Sequence, residues 1–376
     1  MVDYAGYVSD DFLTQVLTEL TQTGAKKGDR IQVSVDELGS VLNKLDSADF
    51  KVTTGGSLSN SLVALSRLGG QQREHLSSGA TGATGAGGGG VLRVGMAGLV
   101  GADPVGSFYK AKMNRAGVSF LSEDSHATTG TVIVLTTPDA QRTMLSHFPA
   151  PTGKEAECIL TRQVKESIKS SRVLLVEGYL WECGPRVVGC LLEAMRVAQE
   201  NGTLVCVTLS DTSVVDKHNE ALWYAIRNRN LVDMVFANAA EAQALTCERT
   251  PKEAALALAQ HTRMVSVVTD GHHGSHLAGM GTTQLIPPYW MPKGPLDTCG
   301  AGDAYAAGVL YGLLRGASIR GMGYTGARVS STVISQRGAR LKTEDAQKLV
   351  EVLPMMMYDQ TKLIVPKKQQ GMGVDV

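Results

Sequence analysis

Leu58, Leu62, Leu65 and Leu68 recur at steps of three and four residues. That spacing lays one apolar stripe along a helix. The helix is expected to begin after Thr54-Gly55-Gly56-Ser57 and to stop at Gly69-Gly70, a C-cap signal. Upstream, Phe12, Val16, Leu17 and Leu20 mark an amphipathic stretch, and Arg30 to Val35 reads as extended. From Ser77 to Gly90 the pattern disappears, because nothing apolar larger than alanine is present. Such a run has nothing to bury and is expected to be a flexible surface insertion, spanning about 71–90. Deleting Gly79 to Gly90 is expected to change little.

Beyond the insertion the pattern alternates. Leu92 to Ala97 reads as a strand, and Pro104 to Arg115 as a helix with proline in its first turn. Thr131 to Thr136 and Arg142 to Phe148 read as paired strands joined at Thr137-Pro138-Asp139-Ala140. A regular rhythm follows. Strands Val173 to Glu177, Thr203 to Leu209, Asp233 to Ala237 and Met264 to Thr269 alternate with helices. The helices run from Pro185 to Glu200, Val214 to Arg227, Ala239 to Leu245 and Lys252 to Gln260. Two more, Ala304 to Leu314 and Ile319 to Ser335, end the predicted core. Continuously apolar strands between helices predict a parallel sheet covered on both faces. The earlier strand pair breaks this rhythm and suggests a small β lid.

Composition narrows the function. In 376 residues, Lys plus Arg is 36 and Asp plus Glu is 36, so the formal charge is zero. A phosphate-backbone binder normally carries a basic excess, which argues against nucleic acid and anionic membrane as partners. No apolar run approaches the ~20 residues of a membrane span. The N-terminus is acidic and lacks an apolar signal segment, so a cytoplasmic protein is expected. Six cysteines show no CxxC pair, and Cys206 sits in apolar context, the pattern of reduced or buried thiols. His272, His273 and His276 lack a fourth ligand at zinc-site spacing, so no metal is expected there.

Two glycine-rich segments match the outline of a phosphate-binding turn. Gly85-x-Gly87-x-x-Gly90 matches a dinucleotide fingerprint on paper. It follows a helix and precedes a strand, the reverse of what that fingerprint needs, so it is rejected. No Gly-x-x-x-x-Gly-Lys-[Ser/Thr] occurs, and no His-Arg-Asp or Asp-Phe-Gly, which excludes P-loop enzymes and protein kinases. The second segment carries chemistry. Asp297-Thr298-Cys299-Gly300-Ala301-Gly302-Asp303 opens directly into a helix. Small residues at a helix N-terminus expose backbone N–H groups, and the helix dipole adds positive potential, which together make an anion site. Asp303 beside it could accept a proton from an attacking hydroxyl, or could merely complement the dipole.

This string resembles the C-terminal signature of the PfkB (ribokinase-like) carbohydrate and nucleoside kinases. Four further motifs are similar to landmarks of that family, in order. They are Gly55-Gly56-Ser57-Leu58-Ser59-Asn60, Gly101-Ala102-Asp103-Pro104-Val105-Gly106, Asn238-Ala239-Ala240-Glu241, and Thr269-Asp270-Gly271-His272-His273-Gly274. The resemblance runs from about Asp3 to Gly338. It implies a single ribokinase-like α/β domain over 1–376, with a mostly parallel central sheet, helices on both faces and a β lid from about 24–36 and 118–150. Residues 366–376 form a tail. It implies Asp303 as catalytic base and the backbone of Gly300, Ala301 and Gly302 as anion hole. Asn238 and Glu241 would organise Mg²⁺ through water near the nucleotide phosphates. Thr269, Gly271 and Gly274 would line the ATP site. Asp3, Gly55, Gly56 and Asn60 would hold acceptor hydroxyls, and Arg142 would swing over the reacting phosphates. K⁺ could brace the anion-hole loop.

Taken alone, Asn238 and Glu241 could be a helix cap, Gly55-Gly56 a tight turn, and Arg142 a surface arginine. The stretches Thr136 to Met144 and Val176 to Trp181 resemble PfkB proteins labelled adenosine-kinase-like, which implies a nucleoside acceptor, adenosine first. A sugar (ribose, fructose or a keto-deoxy sugar) stays open, as does a weakly active binding protein on the same fold. The protein could be a monomer or a homodimer. In the family a strand precedes the aspartate equated with Asp3, so the chain is expected to be incomplete at its N-terminus.

Overall fold

The computed structural model describes residues 1–20, 24–45, 50–70, 91–139, 141–148, 159–228, 231–279 and 281–358. The glycine-rich run and the tail therefore lie outside the described residues. The first part of the chain builds β1 (Val2–Tyr7), α1 (Asp10–Glu19), β2 (Arg30–Gln32), α2 (Val35–Lys44), β3 (Phe50–Thr54) and α3 (Ser57–Gly70). Then come β4 (Val94–Met96), α4 (Pro104–Arg115), β5 (Val118–Phe120), β6 (Thr131–Thr136) and β7 (Arg142–His147). Five of these strands form one sheet in the order β2-β7-β6-β1-β3. Its apolar face packs Ile31, Ile133, Leu135 and Leu145 against Leu13 and Val16 of α1 and Leu38 and Val41 of α2.

This sheet is larger than the paired strands predicted. It takes in β1 and β3, while β5 pairs in parallel with β4 instead. The stretch read as extended also divides. Only Arg30–Gln32 is strand, and Ser34 then caps α2 through a reciprocal capping box with Glu37. A Ser-x-x-Glu box satisfies two orphan N–H groups at once, which starts a helix where β-branched content alone suggested a strand.

The second part of the chain builds α5 (Arg162–Ser170), β8 (Val173–Glu177), α6 (Pro185–Glu200), β9 (Leu204–Thr208), α7 (Thr212–Arg227) and β10 (Met234–Asn238). It continues through α8 (Ala239–Thr246), α9 (Pro251–Ala259), β11 (Val265–Thr269), β12 (Ser275–Gly279), β13 (Thr282–Ile286), α10 (Ala301–Leu314) and α11 (Ile319–Ile334). Two short helices, α12 (Thr343–Val352) and α13 (Pro354–Met357), end the described chain. Strands β8 to β11 are parallel, and the β12–β13 hairpin adds two antiparallel strands.

Alternate residues of these strands face two separate cores, as a sheet covered on both sides requires. Cys206, Met234, Phe236, Val265 and Val267 join α3, α4, α10 and α11. Val205, Val207, Val235, Ala237 and Val268 join α5 to α9. Cys206 is fully buried, in keeping with its apolar neighbours. The parallel strands, the flanking helices and the separate second sheet agree with the expected α/β class. No helix among the described residues is long and apolar enough to cross a membrane.

Candidate active site

The ends of β9, β10 and β11 open onto one cleft. Thr208, Asn238 and Thr269 are the last residues of those strands and all line it, with Ser57, Ser61, Ser210, Glu241, Gly302 and Asp303. Its enclosed part has a volume of about 110 Å³. In open α/β sheets the carboxyl ends of the strands are where ligands sit. Ser210, at φ 70°, holds a left-handed backbone that non-glycine residues rarely adopt, and its hydroxyl lies 2.7 Å from that of Thr208.

The N-termini of three helices, α3, α8 and α10, meet in this cleft. Gly300 caps α10 at φ 75°, and a Cβ there would come within 2.6 Å of the Ala339 carbonyl. Of the amides at this end, Ala301 N–H donates to the Thr298 carbonyl at 3.2 Å, and a Cβ on Gly302 would meet open space. One residue on, Asp303 receives Ser57 Oγ–H at 2.5 Å on Oδ1 and Asn60 Nδ2–H at 2.9 Å on Oδ2. Ser61 donates to the Asp303 carbonyl at 3.0 Å. All three donors come from α3, the helix that follows Gly55-Gly56. Burial pushes the Asp303 carboxyl above its ordinary value, and the Ser57 and Asn60 hydrogen bonds oppose that push.

Asp297 shapes the loop ahead of this helix. Its Oδ1 accepts from Cys299 N at 2.9 Å and its Oδ2 from Gly338 N at 2.9 Å. Arg142 Nη2 of β7 also donates to Oδ1, at 2.5 Å. Burial alone would raise the Asp297 carboxyl, yet these donors hold it below the usual range. Arg142 therefore stands in an ion pair with the start of the loop, tying the second sheet to it, rather than beside Asp303.

Asp3 lies within β1, opposite Thr53 of β3 and Val132 of β6. A Cβ on Gly55 would fall on the Asp3 carboxylate, so only glycine fits there. Gly56 sits at φ 102°. Asp3 Oδ1 is closed off from solvent and has no partner among the described residues, and burial raises this carboxyl to about 6. An orphaned buried acceptor of this kind is suited to a hydroxyl brought by a ligand.

Asn238 and Glu241 form a capping box at the start of α8. Glu241 Oε2 accepts from Asn238 N at 3.0 Å, Oε1 accepts from Asn238 Nδ2 at 2.6 Å, and Asn238 Oδ1 accepts from Glu241 N at 2.8 Å. Glu241 is only 6% exposed, and burial raises it to about 7, helped by the nearby charges of Asp211 and Asp303. Gly271 and Gly274 turn back behind the end of β11, at φ 53° and 100°, and are not among the residues lining the cleft. A Cβ on Gly274 would run into the Ile286 carbonyl.

Two residues of this corner escaped the sequence reading. Glu177 ends β8 and accepts from Leu58 N of α3 at 3.1 Å; burial raises it to about 7. A lone acid ending the apolar run Val173 to Val176 was its available signal. Arg340, beyond α11, donates to Asn60 Oδ1 at 3.3 Å and to Ser59 Oγ at 3.1 Å. Nothing in its local sequence marks it.

Comparison with known proteins places this geometry. A family model described as pfkB family carbohydrate kinase matches residues 18–346. A 5-dehydro-2-deoxygluconokinase of Clostridium beijerinckii is 26% identical over 284 residues, covering 73% of this chain and 76% of the relative. Among solved structures, an adenosine kinase from Sinorhizobium meliloti superposes with a TM-score of 0.75 and 25% identity, covering 93% of this chain and 96% of that one. A probable sugar kinase from Rhizobium etli reaches the same TM-score at 23% identity, over 93% and 94% of the two chains. The fold is ribokinase-like, and the chain belongs to the pfkB family of carbohydrate kinases.

Proposed function

We propose that this kinase transfers the γ-phosphoryl group of ATP to a primary hydroxyl of a nucleoside, adenosine first, giving AMP and ADP. The observation that carries the reading is the pairing of Asp303 with the open N-terminus of α10. A carboxylate held by two donors stands one residue beyond a glycine turn whose Gly302 position is open. Phosphoryl transfer needs little covalent help from the protein, and positioning and charge stabilisation supply most of the catalysis. Asp303 takes the acceptor proton as the hydroxyl oxygen attacks phosphorus and the bond to the β–γ bridging oxygen breaks. The backbone of Gly300, Ala301 and Gly302 forms the anion hole that receives the charge on the transferring group.

Asp3, with Oδ1 unpartnered, holds an acceptor hydroxyl beside Gly55, Gly56 and Asn60. Thr269, Gly271 and Gly274 flank the nucleotide. Mg²⁺ fits here only through water and the nucleotide phosphates, because no cluster of three His, Cys, Asp or Glu side chains forms among the described residues. Glu241 and Asn238 would hold that hydration shell, and bound Mg²⁺ would neutralise phosphate charge. Arg142 leaves Asp297 to face the phosphates when the second sheet closes as a lid.

The adenosine reading draws support from likeness to the adenosine kinase of Sinorhizobium meliloti over 93% of this chain. A second reading, a keto-deoxy sugar acid, is favoured by the 26% identical Clostridium relative. A coupled ADP-release assay with ATP–Mg²⁺, with and without K⁺, separates them. Its panel is adenosine, inosine, ribose, fructose and 5-dehydro-2-deoxygluconate. Turnover on adenosine alone is expected; turnover only on the sugar acid would replace the acceptor and keep the mechanism. Asp303→Asn should lose about 10²–10⁴ in kcat with ATP binding retained. Equal activity of the two proteins would refute the base.

A further inference from the structure

Arg340 carries a charge that the mechanism above does not use. It packs against α3, with Asp3, Tyr109 and Arg67 as its charged and titratable neighbours. Its Nη2 reaches Ser59 Oγ at 3.1 Å and its Nε reaches Asn60 Oδ1 at 3.3 Å. The Met113 sulfur lies 3.7 Å from the same Nη2. Burying a guanidinium is costly unless its donors are used in a fixed geometry. Both side-chain oxygens that it holds belong to the helix carrying the donors of Asp303.

We propose that Arg340 is a positioning residue for the base: its Nε–H locks the Asn60 amide so that Nδ2 must face Asp303. The inference rests on the reading of Asp303 as base. An amide has one acceptor end and one donor end. Arginine offers only donors, so the Asn60 oxygen must turn toward it and the NH₂ toward Asp303 Oδ2, 2.9 Å away. With the amide reversed, two acceptors would meet at Asp303 and two donors at Arg340. A protonated Asp303 could tolerate the reversed amide by donating to its oxygen, but Arg340 would not. Arg340 thus favours the ionised carboxylate, the form a base needs, from two residues away. Ser57, also on α3, donates to the other oxygen and completes the arrangement.

Other charges face the same carboxylate. Glu177 at the end of β8 and Glu241 in α8 both feel the charge of Asp303, as does Cys299 in the loop before α10. Arg142, Asp297 and Asp3 act on Cys299 from the second sheet and the loop. Most of these neighbours are acids, so the ionised state of Asp303 depends on its donors.

The test follows the Asp303 carboxyl directly, by ¹³C-aspartate NMR over pH, with Asp303→Asn assigning the signal. Arg340→Met should move the titration midpoint up by about one pH unit, or roughly tenfold in proton affinity, the size of one charge-assisted hydrogen bond. Arg340→Gln offers an acceptor as well as donors, so it no longer dictates the amide and should also move it. Asn60→Leu should move it by itself, and adding Arg340→Met should then change little. The acidic limb of kcat should follow the same midpoints. An unmoved midpoint in Arg340→Gln, or full additivity with Asn60→Leu, would overturn the proposal. Arg340→Gln decides the matter even where Arg340→Met does not fold. The titration needs no turnover. A moved midpoint in a protein that phosphorylates nothing supports the positioning role and defeats the kinase reading. An unmoved one in an active kinase does the reverse.

Discussion

At the scale of single residues, much of this protein turns on what glycine leaves empty. Gly55 has no side chain because the Asp3 carboxylate occupies that space. Gly300 turns left-handed with the Ala339 carbonyl against it. Gly55→Ala should push Asp3 aside, at a cost of about 1–3 kcal/mol for overpacking. We expect the acceptor KM to rise about tenfold, one misplaced hydrogen bond, while the KM for ATP stays within twofold. Steady-state kinetics in both substrates checks this; an unchanged acceptor KM would separate Asp3 from the acceptor. The sequence showed that Gly55 and Gly300 sit in turns before helices. It could not show which carboxylate or carbonyl each faces, because those partners come from elsewhere in the chain.

At the scale of elements, the β7 strand and the loop before α10 are joined through Arg142 and Asp297. The pair is half-buried, with side-chain exposures of 30% and 11%. Such pairs add little stability, about 0–1 kcal/mol. Position is another matter, since Asp297 also fixes Cys299 N and Gly338 N around the anion loop. Arg142→Met should therefore leave the melting temperature within about 3 °C, while kcat falls at least tenfold. Calorimetry with turnover numbers tests it, and a parallel loss of both would make the contact structural only. The helices of the second half were legible because their apolar periodicity is long and their caps are regular. The N-terminal sheet was less so. Strand β2 has three residues and β3 exposes Lys51 and Val52, so neither carries a clear pattern.

At the scale of the whole molecule, folding desolvates acids in and around the cleft. Asp3 rises to about 6, and Glu177 and Glu241 to about 7, each chiefly through burial. A carboxyl whose folded value exceeds its unfolded one binds its proton more tightly in the native state. Stability is then greatest at low pH and is lost as pH rises from about 4.5 to about 7 through these groups. Asp297 and Asp103, held below the usual range, act in the opposite sense at more acid pH. Within the same window the Met1 amino group, lowered to about 6 chiefly by burial, and His218, His261 and His276, also lowered by burial, act in the opposite sense. The carboxyl contribution is read by difference: Glu177→Gln should raise the melting temperature more at pH 7.5 than at pH 5.5. An equal effect at the two pH values would show this carboxyl to be solvated. None of this was visible from net charge, which is zero and silent about where acids meet.

The sequence by itself determined what is local. The alternation of apolar strands and helices set the α/β class, and the glycine-rich turn before α10 with the acid after it pointed to the chemistry proposed. Five short motifs in order set the family. Those signals depend on neighbours within a few residues, so a linear reading recovers them. Tertiary structure alone decided the partners: α3 against Asp303, Arg142 against Asp297, Arg340 behind Asn60, and Glu177 beneath Leu58 N. These contacts span more than a hundred residues of chain, and no local pattern encodes a distance that only packing creates.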